Sequence, residues 1–332
     1  MDTKLSQFYR GKHVLVTGGA GFIGSNLAIE LVQLGARVTA LDGFIKDYGA
    51  NLFNLEPVHN KVTLVRMDLR DEKKLPRVVR NQDIIFNLAG TLSHVDSMAD
   101  PHTDLAMNCV AQLNLLEACR KHNPAVKILF AGTRNQYGRA QKLPVTEDHP
   151  QIPIDINGIN SIAGEQYHLM YHRVYGIKTT SLRLTNTYGP RHQMKHPRQG
   201  VLNWFLRQLI EGKQVTLYGT GKQIRDTNYV DDVVGAFLLA GASAKVWGQA
   251  YNLGGDHISL KDFVKTAMQV LGRGSYRTAP FPKDRAPIEI GDYIADWRKI
   301  HKTLGWKPRV LLEEGIARTF KYYQQNKKHY WL

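Results

Sequence analysis

Apolar stretches of strand length alternate with amphipathic stretches of helix length through the first half of the chain. The runs at 14–17, 37–41, 62–66, 84–87, 127–131 and 179–184 are short and apolar, and they predict strands. Between them, 22–34, 72–80, 105–122 and 161–175 carry apolar residues at helical spacing and predict helices. Strands that alternate with helices imply a parallel sheet covered on both faces. The expected fold class is therefore α/β, with a doubly wound parallel sheet. After about residue 185 the pattern loosens into Gly, Pro and short elements. The expected division is a sheet domain over 1–185, with a return to it around 226–242, and a smaller C-terminal lobe over 186–332 that binds substrate. Ligands of such sheets bind beyond the carboxyl ends of the strands.

The first strand runs into Gly18-Gly19-Ala20-Gly21-Phe22-Ile23-Gly24. Gly18 allows a tight turn, Gly21 lets a pyrophosphate approach the backbone, and Gly24 lets the following helix pack on the strand. The start of that helix, at Phe22 and Ile23, presents free N–H groups and partial positive charge to phosphates. Asp42 ends the second strand. An acid there accepts hydrogen bonds from both adenosine ribose hydroxyls and repels a 2′-phosphate, which favours NAD over NADP. The third strand ends at Asp68 and Leu69, where a short acid suits the adenine amino group. The fourth ends at Asn87-Leu88-Ala89-Gly90, a stretch suited to a backbone passing beside the cofactor. A glycine turn alone can serve packing; four parts in register make a Rossmann-type NAD site the expectation.

Charge changes this picture little. The formal net charge is +15 over 332 residues, which suits an anionic partner or simply a solvated basic surface. The basic residues scatter, and the densest clusters, 191–198 and 327–329, carry no nucleic-acid motif. Nucleic-acid binding therefore ranks low. No apolar run approaches the roughly 20 residues that span a membrane. The N-terminus has no apolar signal core, and Cys109 and Cys119 fit reduced thiols, so the expected location is the cytoplasm. His168 and His172 stand four apart, but no third ligand is evident and no metal is expected.

Further motifs extend over nearly the whole chain. They are Ser93-His94-Val95-Asp96, Thr133 followed by Tyr137-Gly138, Arg183 through Arg191 with its Asn186-Thr187-Tyr188-Gly189-Pro190 core, Arg225 through Asp232, and Leu304-Gly305-Trp306-Lys307-Pro308. With the glycine turn, they resemble the extended short-chain dehydrogenase/reductase family, the NAD-dependent nucleotide-sugar epimerases and dehydratases. The resemblance implies NAD as cofactor, a nucleotide sugar as substrate and a homodimer built on the helices at 105–122 and 161–175.

One motif departs from the family. Its catalytic Tyr-x-x-x-Lys aligns, through Gly158, Glu165 and Tyr175-Gly176, with Asn157 and Ser161. In the family the Tyr takes a proton from a sugar hydroxyl while hydride leaves the carbon, and the Lys lowers the Tyr pKa. Asn157 does not titrate and Ser161 brings no cation, though Ser161 still falls where the cofactor passes. The residues considered for the missing chemistry are Thr133, which the resemblance places at the sugar hydroxyl, then Tyr137 first and His94 second as substitute bases. The family's dehydratases carry acids just after that Thr; Arg134, Asn135 and Gln136 stand there instead, which disfavours dehydration. Asn186 and Arg225 match positions that touch the substrate diphosphate, and Arg225 could otherwise pair with Asp226, Asp231 or Asp232. Arg191 and Asp296 are further substrate candidates, Asp296 for the nucleotide ribose, with the stretch 284–296 closing the pocket. The leading expectation is epimerisation by an altered acid–base scheme. The alternative is an NAD- or nucleotide-sugar-binding protein with little catalysis.

Overall fold

The computed structural model describes residues 3–331 except 284. Its strands are β1 (His13–Thr17), β2 (Arg37–Asp42), β3 (Val62–Arg66), β4 (Ile84–Asn87), β5 (Lys127–Thr133), β6 (Lys178–Leu184), β7 (Asn186–Tyr188), β8 (Val215–Tyr218), β9 (Ile224–Tyr229), β10 (Ala250–Asn252), β11 (Asp256–Ser259) and β12 (Tyr276–Ala279). The main sheet has seven strands in the order β10-β6-β5-β4-β1-β2-β3, and every pair is parallel. This is the doubly wound Rossmann architecture. The strand order reverses beside β1, between β2 and β4, so the crevice for a ligand opens at the carboxyl end of β1. Val14, Leu15 and Val16 on β1 and all of β4 are buried, as a sheet covered on both faces requires.

Three departures from the sequence reading have local causes. The stretch at 72–80 yields only the short helix Leu75–Val79, with Pro76 in its first turn. The segment 105–122 is not one regular helix, because a π turn, Ala106–Val110, precedes the helix Ala111–His122. The helix expected to start at 161 starts earlier and runs Ile156–Tyr175. Its cap is Asp155, whose side chain accepts from the Gly158 N–H at 2.7 Å. Gly176, at φ 72°, ends it in the left-handed conformation. Asn157 and Ser161 thus both sit in its opening turns.

The later half weaves back rather than standing apart. β7, β9 and β11 form a small sheet, and β8 pairs with β12. The helix Val230–Ala242 packs on the helix Phe22–Gln33 and on β5, and its Val230, Val233 and Phe237 share one core with Val14, Val16 and Leu27. β10 then joins the main sheet beside β6. Its three residues are too few to announce a strand by periodicity.

His168 and His192 are buried, and burial pushes both imidazoles down to about 4. Both regain a value near 6.5 on unfolding. Between these values the unfolded chain binds more protons, so stability falls as pH falls, by at most about 1.4 kcal/mol per pH unit per histidine. Thermal unfolding should accordingly start lower at about pH 5 than at about pH 7; equal midpoints would contradict the buried neutral state.

Candidate active site

One cavity of about 620 Å³ runs from the glycine turn, past the carboxyl ends of β1, β4 and β5, into the lobe. The glycines are required by geometry. Gly18 has φ +64°, and a Cβ there would stand 2.9 Å from the Leu88 carbonyl oxygen. A Cβ on Gly24 would stand 2.1 Å from the Gly18 oxygen, and one on Gly21 would stand 3.1 Å from it. Gly18, Gly21, Phe22, Ile23 and Gly24 all line the cavity, so the turn leaves backbone open to a ligand where a dinucleotide's phosphates would need it.

Asp42 closes β2 and also lines the cavity. Its Oδ2 accepts from the Ala20 N–H at 3.1 Å and its Oδ1 from the Phe44 N–H at 2.9 Å. These bonds hold the carboxylate in place and leave each oxygen a further lone pair for a ribose hydroxyl. Burial raises its pKa above the ordinary carboxylate range, against those hydrogen bonds. Asp68, Leu69, Leu88, Ala89 and Ser161 line the same space. Asp68 already has a charged partner. Arg70 forks onto it, with Nη2 2.6 Å from Oδ2, and that bond holds its pKa low.

At the other end of the dinucleotide crevice, Thr133, Arg134, Asn135 and His94 line the wall. Thr133 caps the short turn after β5, its Oγ1 accepting from the Asn135 N–H at 3.3 Å. His94 opens the helix His94–Ala99, which Ser93 caps. The ring Nδ1 contacts Asp155 Oδ2, and the side chain is 30% exposed. Among the described residues Nε2 has no partner, so the pair presents one free ring nitrogen. Burial would raise the Asp155 pKa, but the hydrogen bond from His94 and the Gly158 N–H overcome it and hold it below its ordinary value.

Asn157 points elsewhere. It is fully buried, and its Nδ2 donates to the Thr91 carbonyl at 2.8 Å and to Asp104 Oδ2 at 2.9 Å. Asp104 also accepts from Thr91, Asn108 and Asn160. The asparagine is thus one donor in a buried network around a carboxylate, and it does not line the cavity.

Three expected residues lie outside the cavity lining, each for a visible reason. Tyr137, the first-ranked substitute base, is fully buried; its hydroxyl donates to Asn252 Oδ1 at 2.7 Å and accepts from Arg183 Nη1 at 2.5 Å. Burial pushes its pKa up to about 12. Arg191 stacks over Tyr322 at 5.2 Å and donates to Asn26 Oδ1 at 2.8 Å. Asp296 turns to Arg298, which grips it through Nε at 2.9 Å to both oxygens.

Asn186 and Arg225 do line the cavity. Asn186 Oδ1 is buried without a hydrogen-bond partner among the described residues. Arg225 pairs with Glu289 at 2.6 Å, not with Asp226, Asp231 or Asp232, and also donates to the Gly291 carbonyl at 2.6 Å. Of the stretch expected to close the pocket, Asp284 lies outside the described residues, while Arg285, Ile288, Glu289 and Ile290 line the cavity. Sequence reasoning missed Asp155 and Glu289. Asp155 carried a signal, an acid three residues before Gly158 where a helix could be capped; Glu289 carried none. Among the described residues no cluster of His, Cys, Asp and Glu is placed to hold a metal ion, and no helix is long and apolar enough to cross a membrane.

Comparison with known proteins agrees with this geometry. The family model described as GDP-mannose 4,6 dehydratase matches residues 15–319. A UDP-glucose 4-epimerase of Mycolicibacterium smegmatis is 32% identical over 315 residues, covering 93% of this chain and 98% of that one. The solved structure of the epimerase Mth375 from Methanothermobacter thermautotrophicus superposes with a TM-score of 0.90 at 25% identity, over 98% of this chain and 95% of that one. The UDP-glucose 4-epimerase of Thermus thermophilus, solved in complex with NAD, superposes with a TM-score of 0.83 at 31% identity, over 94% and 99%. The dinucleotide turn, the cavity it opens and the match along almost the full length lead to one assignment: the chain belongs to the extended short-chain dehydrogenase/reductase family of nucleotide-sugar epimerases and dehydratases.

Proposed function

We propose that the protein is an NAD-dependent nucleotide-sugar epimerase in which His94, held by Asp155, takes the proton that the family's tyrosine takes. The observation that carries this reading is the His94–Asp155 pair on the cavity wall, with Nε2 free. NAD bound along Gly18–Gly24 and Asp42 would supply the hydride acceptor. Asp155 fixes the ring tautomer with Nδ1–H toward the carboxylate, so Nε2 is the proton acceptor. Nε2 would take the proton of the carbinol hydroxyl as that carbon is oxidised, and would return it when the carbon is reduced on its other face. Thr133, on the same wall, would hydrogen-bond that hydroxyl and orient it. No group beyond these is consumed. Dehydration needs further acids, and Arg134, Asn135 and Gln136 occupy the places after Thr133.

The substrate class is inferred from relatives named for UDP-glucose epimerisation. A homodimer is part of the same reading. Leu105, Val110, Leu113 and Ile159 are exposed apolar side chains on adjoining helices, as an interface between copies requires.

The test is proton NMR of the NAD-loaded protein with UDP-, dTDP-, GDP- and CDP-sugars. A new anomeric signal is expected with one nucleotide class. The buried bonding of Asn157 favours a second reading, a binding protein with little turnover. Line broadening without product from any sugar would decide for that reading.

A further inference from the structure

Arg134 is a half-buried cation that the fold does not satisfy. Its Nη1 is sealed from solvent with no hydrogen-bond partner among the described residues. Among the described residues the guanidinium makes no hydrogen bond or ion pair; its one specific contact is the face of Tyr293, 5.3 Å from the ring centroid. The carboxylates around it are committed elsewhere. Glu289 holds Arg225 at 2.6 Å and Asp155 holds His94. Asp226 accepts from the Gly255 N–H at 2.6 Å and the Ala295 N–H at 2.8 Å. Burial first, and Arg225 second, push the Arg134 pKa down to about 10, so it remains a cation at neutral pH. A sealed donor without a partner is destabilising, and more so when it is charged.

Its place narrows what could satisfy it. Arg134 follows Thr133 at the end of β5, on the cavity wall that also carries His94 and Ser161. Arg225 stands near enough to lower the Arg134 pKa, but it is already paired with Glu289. A sugar whose carbinol carbon faces Thr133 and His94 would bring a ring substituent beside Arg134, the next residue along the chain. A planar guanidinium with open donors fits a carboxylate in a two-pronged pair and gives a neutral hydroxymethyl group much less.

We infer that Arg134 is a specificity-determining residue that selects nucleotide sugars bearing a carboxylate on the ring, the nucleotide-linked uronic acids. This rests on the nucleotide-sugar reading above and goes further by naming the sugar class.

Calorimetric titration of the NAD-loaded protein with matched pairs tests it: UDP-glucose and UDP-glucuronate, dTDP-glucose and dTDP-glucuronate, GDP-mannose and GDP-mannuronate. For the nucleotide that binds, the acid is expected to bind at least about tenfold more tightly than the neutral sugar. Arg134→Gln should erase that difference while leaving affinity for the neutral sugar and for the free nucleoside diphosphate within about twofold, and Arg134→Lys should restore part of it. Circular dichroism of each variant checks that it is folded. Equal binding of acid and neutral sugar overturns the inference and leaves the proposed function standing. An equal loss for acid, neutral sugar and free nucleoside diphosphate in Arg134→Gln also overturns it, since Arg134 would then serve the diphosphate. No binding of any nucleotide sugar overturns both readings.

Discussion

Replacing His94 by alanine or glutamine will lower turnover by at least about a hundredfold while NAD still binds, because general acid–base help is typically worth about 10²–10⁴-fold. The glutamine variant is the more informative of the two. It can keep a donor toward Asp155, and so preserve the cap that Asp155 gives the helix Ile156–Tyr175, yet it cannot take a proton. Among the polar side chains considered for the base, Thr133 is too weak, Tyr137 is walled off with its pKa pushed up to about 12, and Asn157 is bonded inward. Turnover by single-turnover kinetics with the sugar found by NMR, beside cofactor affinity by titration, separates chemistry from binding. Unchanged turnover in both variants would remove His94 as the base. A joint loss of turnover and cofactor affinity would give it a structural role instead.

The second large effect concerns the frame behind the site. Arg183→Met should destabilise the fold by about 3–5 kcal/mol, because it leaves a buried carboxylate without its cation. Glu165 is fully buried, and Arg183 meets it at 2.6 Å through Nη2 and 3.0 Å through Nε. With the arginine gone, Ser181 remains at 2.7 Å and Gln136 at 3.5 Å, neither of them charged. Tyr137 would lose its bond from Arg183 Nη1 as well. Adding Glu165→Gln to Arg183→Met should recover much of the loss, since no charge is then left buried. Urea unfolding of the two single variants and the double variant measures this. A single variant within about 1 kcal/mol of the parent would show that the pair contributes little net stability.

These two expectations differ in how far the sequence could have led to them. The centre of the sheet was legible because buried parallel strands are continuous apolar runs, and β1, β4 and β5 carry such runs. β10 was not, since three residues carry no period. The need for glycine at this turn was legible. The crowding at Gly18 and Gly24 involves atoms of the same turn and of the next strand end, and such local geometry follows from spacing. Asp42 was legible for the same reason. Asp68 was found in place but already paired, because its partner, Arg70, is exposed and two residues away, and proximity in sequence does not announce a side-chain fork.

What the chain by itself determined, then, is the doubly wound sheet, the dinucleotide turn and the loss of the Tyr and Lys at 157 and 161. Each follows from backbone periodicity or from residue identity at a local spacing. Only the tertiary structure decided which side chains face the cavity. It brought His94 to Asp155 across 61 residues, turned Tyr137 inward to Asn252, drew Arg191 and Asp296 to partners outside the cavity, and paired Arg225 with Glu289 instead of a neighbouring acid. It also left Arg134 on the wall with no counter-charge among the described residues. The physical reason is that a side chain's direction at the end of a strand or helix depends on the long-range partners available to it, and no local pattern records those partners.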